Sequence, residues 1–173
     1  MVRDDVLGPL DGAQRRLLAR LGVVVDEDVL ICPSTITIMQ NTLQAMRTAK
    51  DVGGGVEQFL LSTAQLKKVD QALLKHLART TENWTILAIR IGNGSRIGPD
   101  VRIQPGVRIG QRCTMGRHAE IQFCATIDDD VRVKRGAFVG ADTAIRSWCV
   151  LMARATVGPR RLIPVGTVVK ADV

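Results

Sequence analysis

The sequence predicts a mainly β protein: a parallel β-helix over residues 85–173, behind a mixed, mainly helical segment over residues 1–84. Two series carry that reading. An aliphatic residue recurs every six positions without a break: Ile91, Ile97, Ile103, Ile109, Met115, Ile121, Ile127, Val133, Val139, Ile145, Leu151, Val157, Ile163 and Val169. Four residues after most of these stands a small or modest side chain: Ser95, Val101, Val107, Cys113, Ala119, Ala125, Val131, Ala137, Thr143, Cys149, Ala155 and Thr167, with Arg161 the one interruption. An amphipathic helix needs apolar residues three and four apart and a lone strand needs them two apart, so neither sustains a strict six. A fixed short period marks a solenoid.

Each hexad then supplies one side of a triangular prism and three hexads close a coil, so that four to five coils fill residues 85–170. Residues eighteen apart should stack at strand spacing, roughly 4.8 Å. Gly92, Gly98, Gly110, Gly116, Gly140 and Gly158 follow the aliphatic residue directly, where a missing Cβ would ease a sharp corner. This pattern resembles the left-handed parallel β-helix of the hexapeptide-repeat superfamily.

The N-terminal half is organised differently. Leu10, Ala13, Leu17, Leu18 and Leu21 share a helical face that Asp11 caps and Gly22 ends. Val23 to Ile31 reads as a strand stopped by Pro33, with Val25 and Ile31 again six apart. Residues 39–50 read as a helix, Gly53, Gly54 and Gly55 as a hinge, and a longer helix runs to about Arg79 behind a Ser62/Gln65 capping box. Phe59, Leu66, Val69, Leu73 and Leu77 line one of its faces. The triple glycine lacks the Lys-Ser/Thr ending of a phosphate loop, and His76 reads as a surface or interface residue.

Composition narrows function. Only 3% of residues are aromatic, which argues against a stacking platform for single-stranded nucleic acid and fits a narrow aliphatic interior. The net charge of +7 suits acidic partners, and direct nucleic-acid binding is not expected. Cys32, Cys113, Cys124 and Cys149 have no zinc-site spacing, and Cys113 and Cys149 fall two coils apart, too far to bridge. They read as buried reduced thiols of an intracellular protein. No membrane span is expected. Arg3, Arg15, Arg16 and Arg20 suggest an organellar leader that Asp4, Asp5 and Asp11 dilute, so mitochondrial and cytoplasmic locations both stand.

The run Val25-Asp26-Glu27-Asp28-Val29-Leu30-Ile31-Cys32-Pro33-Ser34 resembles the opening of γ-class carbonic anhydrases, and Val157-Gly158-Pro159 with Ile163 to Val169 resembles their closing coil. The resemblance implies three histidines converging on a metal between subunits of a trimer. This chain has only His76 and His118; Arg117 and Gln122 stand where the family motif places two zinc histidines, so no catalytic metal is expected. Acyl transfer from acetyl-CoA is the competing activity, with His118 as base and Asp100, one coil away, orienting it. Arg90, Arg96, Arg102 and Arg108 precede successive aliphatic residues and should point outward on all three sides. They and the Phe59 to Leu77 stripe are the candidate partner-binding residues. The expected function is a non-catalytic, γ-carbonic-anhydrase-like assembly subunit in a homo- or heterotrimer of related β-helices, without a cofactor. Similar β-helices occur in mitochondrial complex I and in dynactin.

Overall fold

A computed structural model describes residues 7–51 and 88–171 of the chain. A strand and a helix lead into the coils. A short strand, β1 (Gly8–Pro9), precedes helix α1 (Gly12–Arg20). Asp11 caps that helix: its Oδ1 accepts the Gln14 N–H at 2.7 Å, while Gln14 Oε1 accepts the Asp11 N–H at 3.0 Å. Gly22 follows at φ +87°. Leu10, Leu18 and Leu21 reach the core, but Ala13 and Leu17 are exposed. The contact stripe is narrower than the periodicity implies because nine residues of helix lie across a single coil. Arg15 fastens the helix, donating to the carbonyls of Val25 at 3.1 Å and Glu27 at 2.8 Å.

The expected single strand over 23–31 is two strands with a corner between them, β2 (Val23–Val25) and β3 (Leu30–Ile31). Helix α2 follows over Pro33–Asp51. The calls on Gly53 to Gly55, Phe59, Ser62, Gln65, Leu66, Val69, Leu73, His76 and Leu77 lie outside the described residues. From residue 89 every hexad is one short strand and one corner: β4 (Ile89–Ile91), β5 (Arg96–Ile97), β6 (Arg102–Ile103), β7 (Arg108–Ile109), β8 (Thr114–Met115), β9 (Glu120–Ile121), β10 (Thr126–Ile127), β11 (Arg132–Val133), β12 (Phe138–Val139), β13 (Ala144–Ile145), β14 (Val150–Leu151), β15 (Thr156–Val157), β16 (Leu162–Ile163) and β17 (Val168–Val169).

These strands form three faces of a parallel β-helix of about four turns. The first face runs β2-β4-β7-β10-β13-β16, the second β1-β3-β5-β8-β11-β14-β17 and the third β6-β9-β12-β15. Among the described residues all pairings are parallel except β1 with β3. Arg90 stands opposite Arg108, Ile91 opposite Ile109 and Ile127 opposite Ile145, the expected stack of residues eighteen apart. Three hydrogen bonds per hexad tie adjacent coils. In the coil at residue 90, the Arg90 N–H donates to Val107 O and the Gly92 N–H to Ile109 O; the corner Arg112 N–H donates back to Asn93 O.

Both inward series are buried. From Ile91 to Val157 no aliphatic member exceeds 4% exposure, and the small series from Ser95 to Ala155 does not exceed 1%. Where a hydroxyl or thiol occupies that series it donates to a corner carbonyl of the next coil: Ser95 to Gly110 O (2.8 Å), Cys113 to Asp128 O (3.0 Å), Thr143 to Gly158 O (2.8 Å) and Cys149 to Pro164 O (2.9 Å). Cys113 and Cys149 are therefore hydrogen-bond donors as well as small apolar fillers.

The corners work otherwise than the glycines suggest. Positive φ falls on the residue three after each aliphatic position, in an unbroken series from Gly94 to Gly166 that includes Asp100, Arg112, His118, Cys124, Asp130, Asp142, Trp148, Arg154 and Arg160. The glycines directly after the aliphatic residue serve close approach instead. A Cβ added to Gly140 would stand 2.5 Å from the carbonyl carbon of Gly158, and one on Gly92 2.6 Å from that of Gly110.

The repeat begins before residue 85. Val25 pairs with Ile91 and Ile31 with Ile97, each 66 residues apart where the repeat takes 18, an excess of 48. Val29 and Thr35 are fully buried at the small-series positions. Thr35 lies in the first turn of α2, so the helix stands where the first coil would place its third-face strand. Its hydroxyl donates to Gly98 O at 2.6 Å and accepts the Val101 N–H at 3.0 Å, while Ser34 Oγ accepts the Asp100 N–H at 3.0 Å.

Candidate functional site

Corner residues eighteen apart form three columns, and the expected acid–base pair lies in one of them. His118 and Asp100 share the corner between the second and third faces; His118 Nδ1 is 4.0 Å from Asp100 Oδ2, with the two side chains 56% and 44% exposed. That is contact in water, longer than a hydrogen bond. Neither residue lines either of the two clefts described below.

A polar cleft of about 270 Å³ opens where α2 lies on the third face. Ile38, Asn41 and Thr42 of the helix form one wall; Arg102, Gln104, Glu120 and Gln122 form the other. Arg102 and Glu120 stand in register on β6 and β9. Gln104 and Gln122 follow the aliphatic residues of the same two strands, in the hexad position that glycine takes in the next two coils of that face, at Gly140 and Gly158. Gln122 is 3% exposed and its Nε2 donates to Glu120 Oε1. Gln104 Oε1 is buried with no hydrogen-bond donor. Sequence reasoning passed over this cluster, although two glutamines at a glycine-rich position were a visible departure from the repeat.

A second, more open cleft of about 470 Å³ lies on the first face, lined by Arg90, Arg108, Thr126, Asp128, Asp129 and Ser147. Asp128 faces Arg146 at 3.4 Å, and Asp130 holds Arg112 in a two-point contact, 2.8 Å at each oxygen. That guanidinium keeps the Asp130 carboxyl below its ordinary value. The family model for bacterial transferase hexapeptide, six repeats, matches residues 88–123, the stretch that begins these stacked coils. That match and the solenoid of about four turns agree with the hexapeptide-repeat β-helix superfamily. No curated protein matches it. Among solved structures it is similar to a Bacillus cereus protein described as an acetyltransferase, at 14% identity over 47% of this chain, with a TM-score of 0.31. The chain spans 58% of that protein's length. It is also similar to perosamine N-acetyltransferase from Caulobacter crescentus, in a variant bound to CoA and GDP-perosamine, at 17% identity over 87% of this chain and 86% of the other, with a TM-score of 0.31. Those values say nothing of this chain's activity.

Within this hexapeptide-repeat prism the four expected arginines point outward on all three faces: Arg90 and Arg108 on the first, Arg96 on the second and Arg102 on the third. The proposed docking stripe Phe59, Leu66, Val69, Leu73 and Leu77 lies outside the described residues. Among the described residues no three His, Cys, Asp or Glu side chains converge as metal ligands, and no helix is long and apolar enough to cross a membrane. The sequence also gave no warning of an exposed apolar cluster on the last coils. Trp148 is 65% exposed at the corner between the first and second faces, Val165 is 65% exposed one coil on beside Gly166, and Leu162 and Val168 flank that corner.

Proposed function

We propose that this chain is a non-catalytic assembly subunit, of the γ-carbonic-anhydrase-like kind, that docks through its first face and the Trp148 corner onto a related β-helix subunit of acidic surface. The observation that carries the reading is the outward row of the first face: Val24, Arg90, Arg108, Thr126, Ala144 and Leu162. Arg90 and Arg108 stand directly opposite one another. Like charges so placed repel, and neither guanidinium meets a carboxylate in an ion pair among the described residues. The remainder of the row is small or apolar and ends at exposed Leu162 beside Trp148. Arginine and tryptophan beside small and apolar side chains is the composition that interface centres favour. Carboxylates from a partner would relieve the arginine pair, and a net charge of +7 disfavours a second copy of this chain in that role. The third face is less suited, since α2 covers its first coil.

A heteromeric trimer fits this reading, with the chemistry left to other subunits. Acyl transfer from acetyl-CoA is the competing reading, and the approach of His118 to Asp100 is what favours it. Calorimetric titration with acetyl-CoA beside mass measurement of the native assembly separates the two. The assembly reading expects no heat with acetyl-CoA and a particle that dissociates in the Arg90→Glu/Arg108→Glu double variant. Saturable acetyl-CoA binding that His118→Ala removes would replace it with the enzyme.

A further inference from the structure

Charge is sorted among the three corners of the prism. The corner after the first face carries Asp26, Glu27, Asp28, Asp128, Asp129 and Asp130, and its two arginines, Arg112 and Arg146, are held by Asp130 and Asp128. Among the described residues the corner after the third face carries one charge of each sign, Asp142 and Arg160. The corner between the second and third faces is basic. Arg117 stands in one coil, Lys134 and Arg135 in the next and Arg154 in the one after, all exposed. Among the described residues of that corner the only carboxylate is Asp100, which faces His118.

Stacking turns these cations into a straight ridge. The Gly136 N–H donates to Arg117 O at 2.9 Å and the Arg154 N–H to Arg135 O at 2.8 Å, so three coils are tied corner to corner. They span about 10 Å along the prism. Gly136 leaves room for the Arg154 stem, since a Cβ there would stand 3.5 Å from Arg154 Cγ. Arg132, exposed on the second face, adds a cation in the coil of Lys134. Arg132, Lys134, Arg135 and Arg154 make no ion pair among the described residues, and on the adjoining third face Glu120 is engaged by the Gln122 amide. Like charges held this close repel one another, so an external anion stabilises the ridge. In a three-sided prism this corner lies opposite the first face, and docking through that face leaves it outward.

We infer that this ridge is a docking edge for an anionic lipid surface, against which the prism lies along its length. A convex edge has no wall to surround a small anion. Protein interfaces favour aromatic side chains and disfavour lysine, and this corner has lysine and no ring but His118. The lack of stacking rings also disfavours single-stranded nucleic acid. A duplex curves away from a straight edge, whereas a plane of headgroups meets every coil. Long lysine and arginine stems carry their charge to headgroup level. Met152, 36% exposed and one coil beyond Lys134, supplies an apolar tip. Each basic side chain at such a surface strengthens binding about fivefold.

The test is co-sedimentation of the full chain with vesicles of equimolar phosphatidylcholine and phosphatidylserine at about 0.1 M salt, beside vesicles of phosphatidylcholine alone. Saturable binding is expected to the mixed vesicles only, and it should vanish at about 1 M salt. Lys134→Glu/Arg135→Glu is expected to weaken it at least about 25-fold. Arg90→Glu/Arg108→Glu changes the net charge equally on the opposite face and is expected to retain most of the binding. Failure to bind the mixed vesicles, equal losses in the two variants, or tighter binding to a DNA duplex at matched phosphate concentration overturns the inference. The second variant is the one expected to break the assembly, so the docking edge and the assembly reading fail separately.

Discussion

At the scale of single residues, the prism turns on a backbone conformation that its sequence hides. Among the described residues, nine other than glycine adopt positive φ at the corner position. A left-handed conformation costs an L-residue about 1–2 kcal/mol, and here it recurs because the corners of a three-sided coil demand it and a ladder hydrogen bond, such as Arg154 N–H to Arg135 O at 2.8 Å, accompanies it. Arg154, exposed and φ +63°, is a clean test. Arg154→Gly is expected to be more stable than Arg154→Val by about 1–2 kcal/mol in urea unfolding. Thiol burial gives a second test. Burial pushes the Cys113 thiol up to about 11 from an ordinary 9.0. The folded state thus holds its proton where the unfolded state has lost it, and stability should fall as pH rises from 9 toward 11. Cys113→Ala is expected to lessen that alkaline loss while keeping the fold, since Ala119 and Ala125 already fill equivalent positions. The inward series was legible because it is a pattern of size and polarity. The corner series was not, because Asp, Arg, His, Cys and Trp share no chemistry there; only the backbone unites them.

At the scale of elements, α2 shows how tertiary context overrides local preference. Thr35-Ile36-Thr37-Ile38 is β-branched and alternating, which reads as strand, and Pro33 reads as a stop. The helix nevertheless begins at Pro33, whose missing N–H is harmless in the first turn. Thr35 is held there by the core: its hydroxyl serves Gly98 O and Val101 N–H, the bonds that Ser95 makes to Gly110 O and Cys113 N–H one coil on. Thr35→Val would leave a buried acceptor and a buried donor unpaired. It is expected to cost about 2–4 kcal/mol by chemical denaturation. Ile121→Asp, at a position of 0% exposure, would bury an unpaired carboxylate and is expected to cost several kcal/mol. A variant that melts like the parent would contradict the inward assignment. The acidic entry over Asp26 to Asp28 has a structural part as well: Asp26 Oδ2 accepts the Asn93 N–H and Asn93 Oδ1 accepts the Asp28 N–H, each at 3.0 Å, which pins the first coil to the second.

At the scale of the whole molecule, the three faces differ in what they leave open. A period of six assigns each strand to a face, which is why the spread of Arg90, Arg96, Arg102 and Arg108 over all three was readable. It does not say which face a helix covers, nor that Arg90 and Arg108 become neighbours with no acid between them. The cleft beneath α2 escaped for the same reason, since it needs residues 60 to 84 apart in sequence to meet. Docking through an arginine pair should weaken steeply with salt, because the paired charges are screened within about 10 Å at 0.1 M. Trp148→Ala is expected to weaken partner binding at least about tenfold.

The most direct test of the assembly account places a photo-crosslinking residue at position 126, on the first face between Arg108 and Ala144, and at an exposed position on α2 as control. In material purified from its native source, the account expects a crosslink from position 126 to a protein with hexad repeats and acidic outward residues, lost in the Arg90→Glu/Arg108→Glu double variant. A chain that elutes as a soluble monomer, with no crosslink from position 126, would contradict it.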